Sequence, residues 1–245
     1  RGCGDHGYLK TMLPVAILVG GLAKRLRPIT DSIPKALVPV AGRPFILQQL
    51  DYLHDQGISQ VVLCTGYRAR QIKEVVGDGS CCGLAVRYSD DGDTPLGTGG
   101  AVRNALPLLG PEFFVLYGDS FLPVNFEDVE NAYLESQQPA LMTVYRNHGQ
   151  WGTSNVVFCE DRVIEYNKFE PRPEMQYIDY GLGILPGVVF DEQVGEEVFD
   201  LATLYMALSK RGELAGFKVC QRFYEIGSPE GLAETEQYFK IMGSV

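Results

Sequence analysis

The chain has 245 residues, 45% hydrophobic and 11% aromatic, which excludes a disordered segment and is enough for one large domain or two small ones. Its 21 basic and 31 acidic residues leave a net charge of −10, the wrong sign for a protein that holds nucleic acid by neutralising phosphates. The longest apolar runs are about five residues, far short of the roughly 20 that a membrane helix needs.

Residues 1–11 carry no apolar signal-type core and are read as a tag or N-terminal extension, because Met12 directly precedes the first strand-like run. The rest, 12–245, is expected to form a single domain. Val15–Val19 is continuously apolar and ends in Gly20-Gly21, as a strand buried on both faces would. Arg43-Pro44 opens a helical pattern with Ile46, Leu47, Leu50 and Leu53, stopped by Gly57. A strand over Gln60–Thr65, a helix over Ala69–Val76, a strand over Leu84–Ser89, a helix over Gly99–Leu108 and a strand over Phe113–Tyr117 follow. This rhythm predicts an α/β fold: a Rossmann-like, doubly wound, mixed but mostly parallel sheet with helices on both faces. After Asp119 the pattern becomes more antiparallel. A helix over Phe126–Gln137 precedes β-like runs at Ala140–Tyr145, Asn155–Phe158, Arg162–Tyr166 and Tyr177–Leu185. Last come a helix over Asp200–Arg211, a strand over Leu214–Val219 and a helix over Pro229–Ile241.

Ligands of such sheets bind at the carboxyl ends of the strands, so the loops there matter most. The first strand runs into Gly20-Gly21-Leu22-Ala23-Lys24-Arg25-Leu26-Arg27-Pro28. Two glycines admit a ligand to the backbone, and Lys24, Arg25 and Arg27 place three cations in an acidic chain. The loop is neither a Walker A nor a GxGxxG motif, which counts against ATPase and dinucleotide readings. Lys35 sits between prolines and apolar residues, which would fix its ammonium as a point charge for phosphate oxygens. Asp119, at the end of a buried strand, suits Mg²⁺, which takes one or two carboxylates plus substrate phosphates; a cap or turn aspartate is the plainer alternative.

Together these segments resemble the sugar-1-phosphate nucleotidylyltransferase family, whose hallmark is GGxGTRLxPxTxxxPKxLxPV. Here Gly20 to Thr30 runs on, without a gap, to Pro34-Lys35-Ala36-Leu37-Val38-Pro39-Val40. Pro95-Leu96-Gly97-Thr98-Gly99-Gly100-Ala101, Tyr117-Gly118-Asp119 and Tyr224-Glu225-Ile226-Gly227-Ser228-Pro229-Glu230 continue the likeness. The resemblance implies that an NTP and a sugar 1-phosphate are the substrates and that NDP-sugar and pyrophosphate are the products. It implies that Arg25 holds the triphosphate, Lys35 grips phosphate near the reacting centre, and Asp119 and Glu225 bind Mg²⁺. Gly20, Gly21, Ala23, Lys24, Gly99 and Gly100 would contact the nucleotide, with Gly99 and Gly100 reading the base edge. Gly152, Asn167, Lys168 and Asp179 would meet the sugar and its phosphate. Two departures stand out: Ala23-Lys24 replaces the family's Gly-Thr, and Glu225 replaces an aspartate.

The PLGTGGA form of the base loop looks most like guanylyltransferases for mannose or heptose 1-phosphates, with uridylyl-, cytidylyl- and thymidylyltransferases as alternatives. A glycosyltransferase and a non-catalytic regulatory homologue are the competing classes. The acidic run Ser89-Asp90-Asp91-Gly92-Asp93 imitates a glycosyltransferase DxD motif but lies ahead of the base loop, so it is set aside. Six scattered cysteines without metal-type spacing fit a reduced, cytoplasmic protein, with no nucleic-acid or membrane partner. A homo-oligomer is left open.

Overall fold

The computed structural model describes residues 11–21, 24–92, 94–193 and 197–242. In chain order the elements are β1 (Val15–Leu18), β2 (Pro39–Val40), β3 (Arg43–Pro44), α1 (Phe45–Asp55), β4 (Gln60–Thr65), α2 (Ala69–Val76), β5 (Ala85–Asp90) and α3 (Gly97–Ala105). Next are β6 (Glu112–Tyr117), β7 (Ser120–Phe121), α4 (Phe126–Ser136), β8 (Ala140–Arg146), β9 (Val156–Cys159), β10 (Arg162–Tyr166) and β11 (Tyr177–Pro186). The last are α5 (Leu201–Arg211), β12 (Leu214–Val219), β13 (Tyr224–Glu225) and α6 (Pro229–Met242).

Among the described residues nine strands form one mixed sheet in the order β5-β4-β1-β6-β11-β8-β12-β10-β9. The first half, β5-β4-β1-β6, is parallel, as expected from its unbroken apolar runs. Beyond it β11 runs antiparallel to both β6 and β8, β12 returns parallel to β8, and β10 and β9 close the edge as an antiparallel pair. Register decides where the ligand crevice lies. Leu18 pairs with both Cys64 and Tyr117, so β1, β4 and β6 end level and their loops open on the same side.

Alternation along each strand splits the interior in two. Val15, Ile17, Val61, Leu63, Phe114 and Leu116 pack with α1, α2 and α4 on one face. Ala16, Val62, Cys64, Phe113 and Val115 pack with α3 and α5 on the other. A third, smaller core joins Leu26, Val38, Val40, Phe45, Phe121 and Ile226, with aromatic rings from α6 against it. Its centre is Phe121, whose ring lies 4.8 Å from Tyr52 and 4.7 Å from Phe239.

The small ribbons feeding this third core differ from the sequence expectation. Arg43-Pro44 does not begin a helix but pairs antiparallel with Pro39-Val40 across a two-residue turn, Ala41 and Gly42 both having positive φ. Helix α1 therefore starts at Phe45. Helix α3 starts at Gly97, two residues earlier than expected, and gives way to a 3₁₀ turn at Leu106–Leu108, where Pro107 lacks the N–H to continue the α pattern. No helix among the described residues is long and apolar enough to cross a membrane.

Candidate active site

A cleft of about 270 Å³ opens at the carboxyl ends of β1, β4 and β6. Gly20, Gly21, Lys35, Asp91, Thr98 and Asp119 are among the residues that line it. At Gly118 the chain passes so close to β1 that a Cβ would stand 2.6 Å from the Leu18 carbonyl oxygen, and this packing sets where Asp119 emerges.

At one end of the cleft four charged residues from four segments meet. Lys35 lies on a 3₁₀ turn after the extended Pro34, and its Nζ donates to Asp119 Oδ2 at 2.8 Å. Asp119 just precedes β7, which pairs with β13 so that Glu225 faces Ser120, and the Ile226 N–H donates to the Asp119 carbonyl at 2.9 Å. Glu225 Oε2 accepts the Gly227 N–H, and Oε1 accepts the Ser228 hydroxyl at 2.5 Å. A Cβ on Gly227 would stand 2.6 Å from Glu225 Oε2 and 3.2 Å from both Arg25 Nη2 and Lys35 Nζ. Glycine at 227 thus leaves room for two cations and a carboxylate around one point. Each charge follows or precedes an anchor in the third core: Leu26 beside Arg25, Val38 after Lys35, Phe121 after Asp119, Ile226 after Glu225. Ala23 lies outside the described residues, as do residues 1–10 of the expected extension, and of Lys24 only the backbone is described.

The two carboxylates suit a hard cation. Magnesium needs one or two carboxylate oxygens together with phosphate oxygens and water. Asp119 and Glu225 are brought together by the β7–β13 ribbon, and each carboxylate oxygen that accepts one hydrogen bond keeps a second lone pair.

The middle of the cleft is bounded by the start of α3. Pro95, Gly97, Thr98 and Ala101 face it. Gly99 and Gly100, expected to read a base edge, are placed differently: both are buried, and both N–H groups donate to the Phe199 carbonyl at 3.0 and 3.4 Å. They join α3 to the segment that leads into α5.

On the far side the sheet presents a second lysine–aspartate pair. Lys168 Nζ lies 3.0 Å from Asp200 Oδ2. Asp200 caps α5 by accepting the Ala202 N–H at 2.8 Å and also accepts the Thr98 hydroxyl at 3.1 Å. These contacts hold Asp200 below the ordinary carboxylate range against the opposing effect of burial. Asp179, on β11, has the opposite fate: burial is the main cause pushing its carboxyl up to about 6, while a hydrogen bond from Gly181 N–H and the Lys168 charge pull it down. Asn167 is turned inward on its own loop, its Oδ1 accepting the Phe169 and Glu170 N–H groups at 3.1 and 3.0 Å. Gly152 lies on a loop held by the buried Asn147, whose side-chain N–H donates to the Gly152 carbonyl at 3.0 Å. Trp151, beside it, lies under the Arg222 guanidinium, 3.5 Å from its ring centroid.

A family model described as "Nucleotidyl transferase" matches residues 15–181. The chain belongs to this family. A D-glycero-α-D-manno-heptose 1-phosphate guanylyltransferase from Campylobacter jejuni is 30% identical over 214 residues, covering 87% of this chain and 94% of that protein. A glucose-1-phosphate thymidylyltransferase from Streptomyces antibioticus is 31% identical over 232 residues, 94% of this chain and 62% of that one. Among solved structures, HddC from Yersinia pseudotuberculosis complexed with GMP-PN is 25% identical with a TM-score of 0.77, covering 93% of this chain and all of that one. Together with the signature loop, these matches place the chain among the sugar-1-phosphate nucleotidylyltransferases.

Four residues at the site were given no role by the sequence. Asp200 and Thr98 are 102 residues apart and meet only through the packing of α3 on α5. Asn147 follows a strand with no distinguishing pattern. Asp91 was visible only as part of an acidic run, and acidic runs are usually solvated.

Proposed function

We propose that this nucleotidylyltransferase moves a guanylyl group from GTP to a heptose or mannose 1-phosphate, with Mg²⁺ as its metal. The observation that carries the reading is the meeting of Arg25, Lys35, Asp119 and Glu225 at one end of a cleft lined by Gly20 and Gly21. In the reaction a phosphate oxygen of the sugar 1-phosphate attacks the α-phosphorus of the nucleotide, the α–β bridging P–O bond breaks, and pyrophosphate leaves. Little covalent chemistry falls to the protein, so positioning and charge neutralisation dominate. Arg25 and Lys35 would balance the charge gathering on the leaving pyrophosphate. Asp119 and Glu225 would hold Mg²⁺, which supplies further neutralisation of phosphate oxygens when bound. Lys168 would grip the sugar phosphate, and Asp179 would orient a sugar hydroxyl. The choice of GTP and of a manno-type sugar draws support from the PLGTGGA loop and from the activity named for the Campylobacter relative.

The test is pyrophosphate release over a grid of GTP, UTP, CTP, dTTP and ATP against mannose, heptose and glucose 1-phosphates, with Mg²⁺ and with chelator. Mg²⁺-dependent turnover of GTP with mannose or heptose 1-phosphate is expected. Preference for a pyrimidine nucleotide overturns the base, preference for glucose 1-phosphate overturns the sugar, and nucleotide binding without turnover of any pair overturns the reaction.

A further inference from the structure

We propose that Gln49 is a positioning residue for the reaction: from the buried face of α1 its side-chain amide fixes the Ser120 carbonyl and so sets where the Asp119 carboxylate points. The inference rests on the role given to Asp119 above, and it concerns a residue outside the lining of the cleft.

Helix α1 buries Phe45, Ile46, Leu50 and Leu53, and among these apolar side chains lies Gln49, only 2% exposed. Its Nε2 donates to the Ser120 carbonyl at 2.7 Å. Two further polar groups follow three and seven residues on, the spacing of one helix face. The Tyr52 hydroxyl donates to the Val124 carbonyl at 3.0 Å. Gln56 Oε1, just past the helix end, accepts the Phe126 N–H at 3.2 Å. Three side chains thus pin the chain from Ser120 to Phe126, and Gln49 holds the end next to Asp119.

The strand that follows Asp119 is gripped from both edges. The Asp119 carbonyl faces β13 and accepts the Ile226 N–H at 2.9 Å, while the next carbonyl, on Ser120, goes to Gln49. Successive carbonyls of an extended chain point opposite ways, so the two bonds oppose each other across the ribbon. Ser120 also reaches the carboxylate directly, its hydroxyl donating to Asp119 Oδ1 at 3.3 Å. Because Glu225 pairs with Ser120, a shift of Ser120 moves both carboxylates relative to Lys35. The other end of the amide is not satisfied: Gln49 Oε1 is buried without a hydrogen-bond partner among the described residues. Burying that oxygen unpaired is costly, and an apolar side chain of the same length would avoid the cost. What the amide supplies in return is the donor to Ser120.

The competing role is purely structural, one more bond between α1 and the segment after β6. Gln56 is the comparison, since it holds the same segment from the same helix but at Phe126, away from Asp119. The experiment uses the full chain as wild type, Gln49→Met and Gln56→Met, because methionine keeps the length of glutamine and loses its polar groups. Amide hydrogen exchange is followed by NMR, together with steady-state kinetics on the NTP and sugar 1-phosphate that turn over fastest. In Gln49→Met the Ile226 N–H should exchange about tenfold or more faster, measured against the Val19 N–H, which is bonded to the Cys64 carbonyl inside the sheet. Its kcat should fall about tenfold or more, with KM for the sugar 1-phosphate within about twofold. Gln56→Met should leave both the Ile226 exchange and kcat within about twofold of the wild type. The wild type needs no substitution: its Gln49 side-chain amide protons should exchange about 100-fold or more slowly than those of the exposed Gln137. An unprotected Gln49 amide overturns the proposal even where Gln49→Met does not fold. Unchanged Ile226 exchange or nearly unchanged kcat in a folded Gln49→Met overturns it, as does an equal loss of kcat in Gln56→Met. Absence of wild-type turnover overturns the nucleotidyl-transfer reading instead, and the exchange measurements then decide alone whether Gln49 holds the strand after Asp119.

Discussion

Two lysine–aspartate pairs, one lining the cleft and one joined to its wall through Thr98, are nearly equal in length and unlike in what holds them. Lys35 and Asp119 are 2.8 Å apart with the lysine side chain 17% exposed; Lys168 and Asp200 are 3.0 Å apart with the lysine 46% exposed. At the first pair the lysine is the fixed partner, set on a short turn between Pro34 and Pro39 and braced by the third core. Asp119 is the freer one, with a hydroxyl and the lysine as its contacts. At the second pair the aspartate is fixed, by the Ala202 N–H and the Thr98 hydroxyl, while Lys168 sits on an exposed loop. The lesson is that an ion pair can be anchored from either side, leaving the other partner the freer one. Under the proposed reaction the carboxylate at the first pair would exchange its lysine for a metal, and the lysine at the second would exchange its carboxylate for a phosphate.

The comparison breaks most sharply at Lys35. Lys35→Met removes a positioned charge from the reacting end without touching a core side chain. A loss of about 10²–10³ in kcat/KM is expected, the size seen when one preorganised donor to a developing negative charge is removed. Thermal unfolding checks that the fold survives. A loss of less than about tenfold would make Lys35 a mere partner of Asp119.

The second effect belongs to the ground under the Lys168 pair. Asp179 has its carboxyl pushed up to about 6, chiefly by burial, from an ordinary 3.8. The sign follows from linkage. Between those two values the folded state holds more protons than the unfolded chain, so stability falls as pH rises through the window and is lowest, for this group, above it. The full difference is at most about 3 kcal/mol. Asp179→Asn keeps an acceptor for the Gly181 N–H and cannot ionise. Urea unfolding of variant and wild type should then agree near pH 4 and diverge as pH rises to about 7, the variant being the more stable. Parallel curves would remove Asp179 as the source of the pH dependence.

The same contrast explains how much of the molecule was legible beforehand. Strands buried on both faces announce themselves as unbroken apolar runs, so VAILV, QVVLCT and FFVLY were placed almost to the residue. The charged end of the cleft was legible because its glycines, cations and prolines lie in one contiguous stretch. The two-residue strands β2, β3, β7 and β13 were not, since two residues carry no periodicity, and the β7–β13 ribbon is the one that brings Glu225 to Asp119. The surroundings of the Lys168–Asp200 pair were half legible. Lys168 and Asp179 could be placed by resemblance, but Asp200 and Thr98 depend on the packing of α3 against α5. Gly99 and Gly100 show the cost of reading glycine as ligand contact: in the fold their amides serve Phe199.

The smallest expected effect is also the one that ties the two sides of the comparison together. Lys168→Met leaves Asp200 with its Ala202 and Thr98 donors, so stability should change by less than about 1 kcal/mol, as for exposed ion pairs generally. If Lys168 is the group that leaves its aspartate for the sugar phosphate, KM for the sugar 1-phosphate should rise about tenfold with KM for the nucleotide unchanged, one charge-assisted hydrogen bond being lost. A further consequence separates this from simple loss of charge at the surface. The Lys168 cation is one of the causes holding the Asp179 carboxyl down, so its removal should move that carboxyl still higher. The divergence between Asp179→Asn and its parent, measured in the Lys168→Met background, should therefore begin near the same acid limit but extend to higher pH. A divergence that ends at the same pH with and without Lys168 would mean that the lysine and Asp179 do not sense one another, and the two pairs would differ only in exposure.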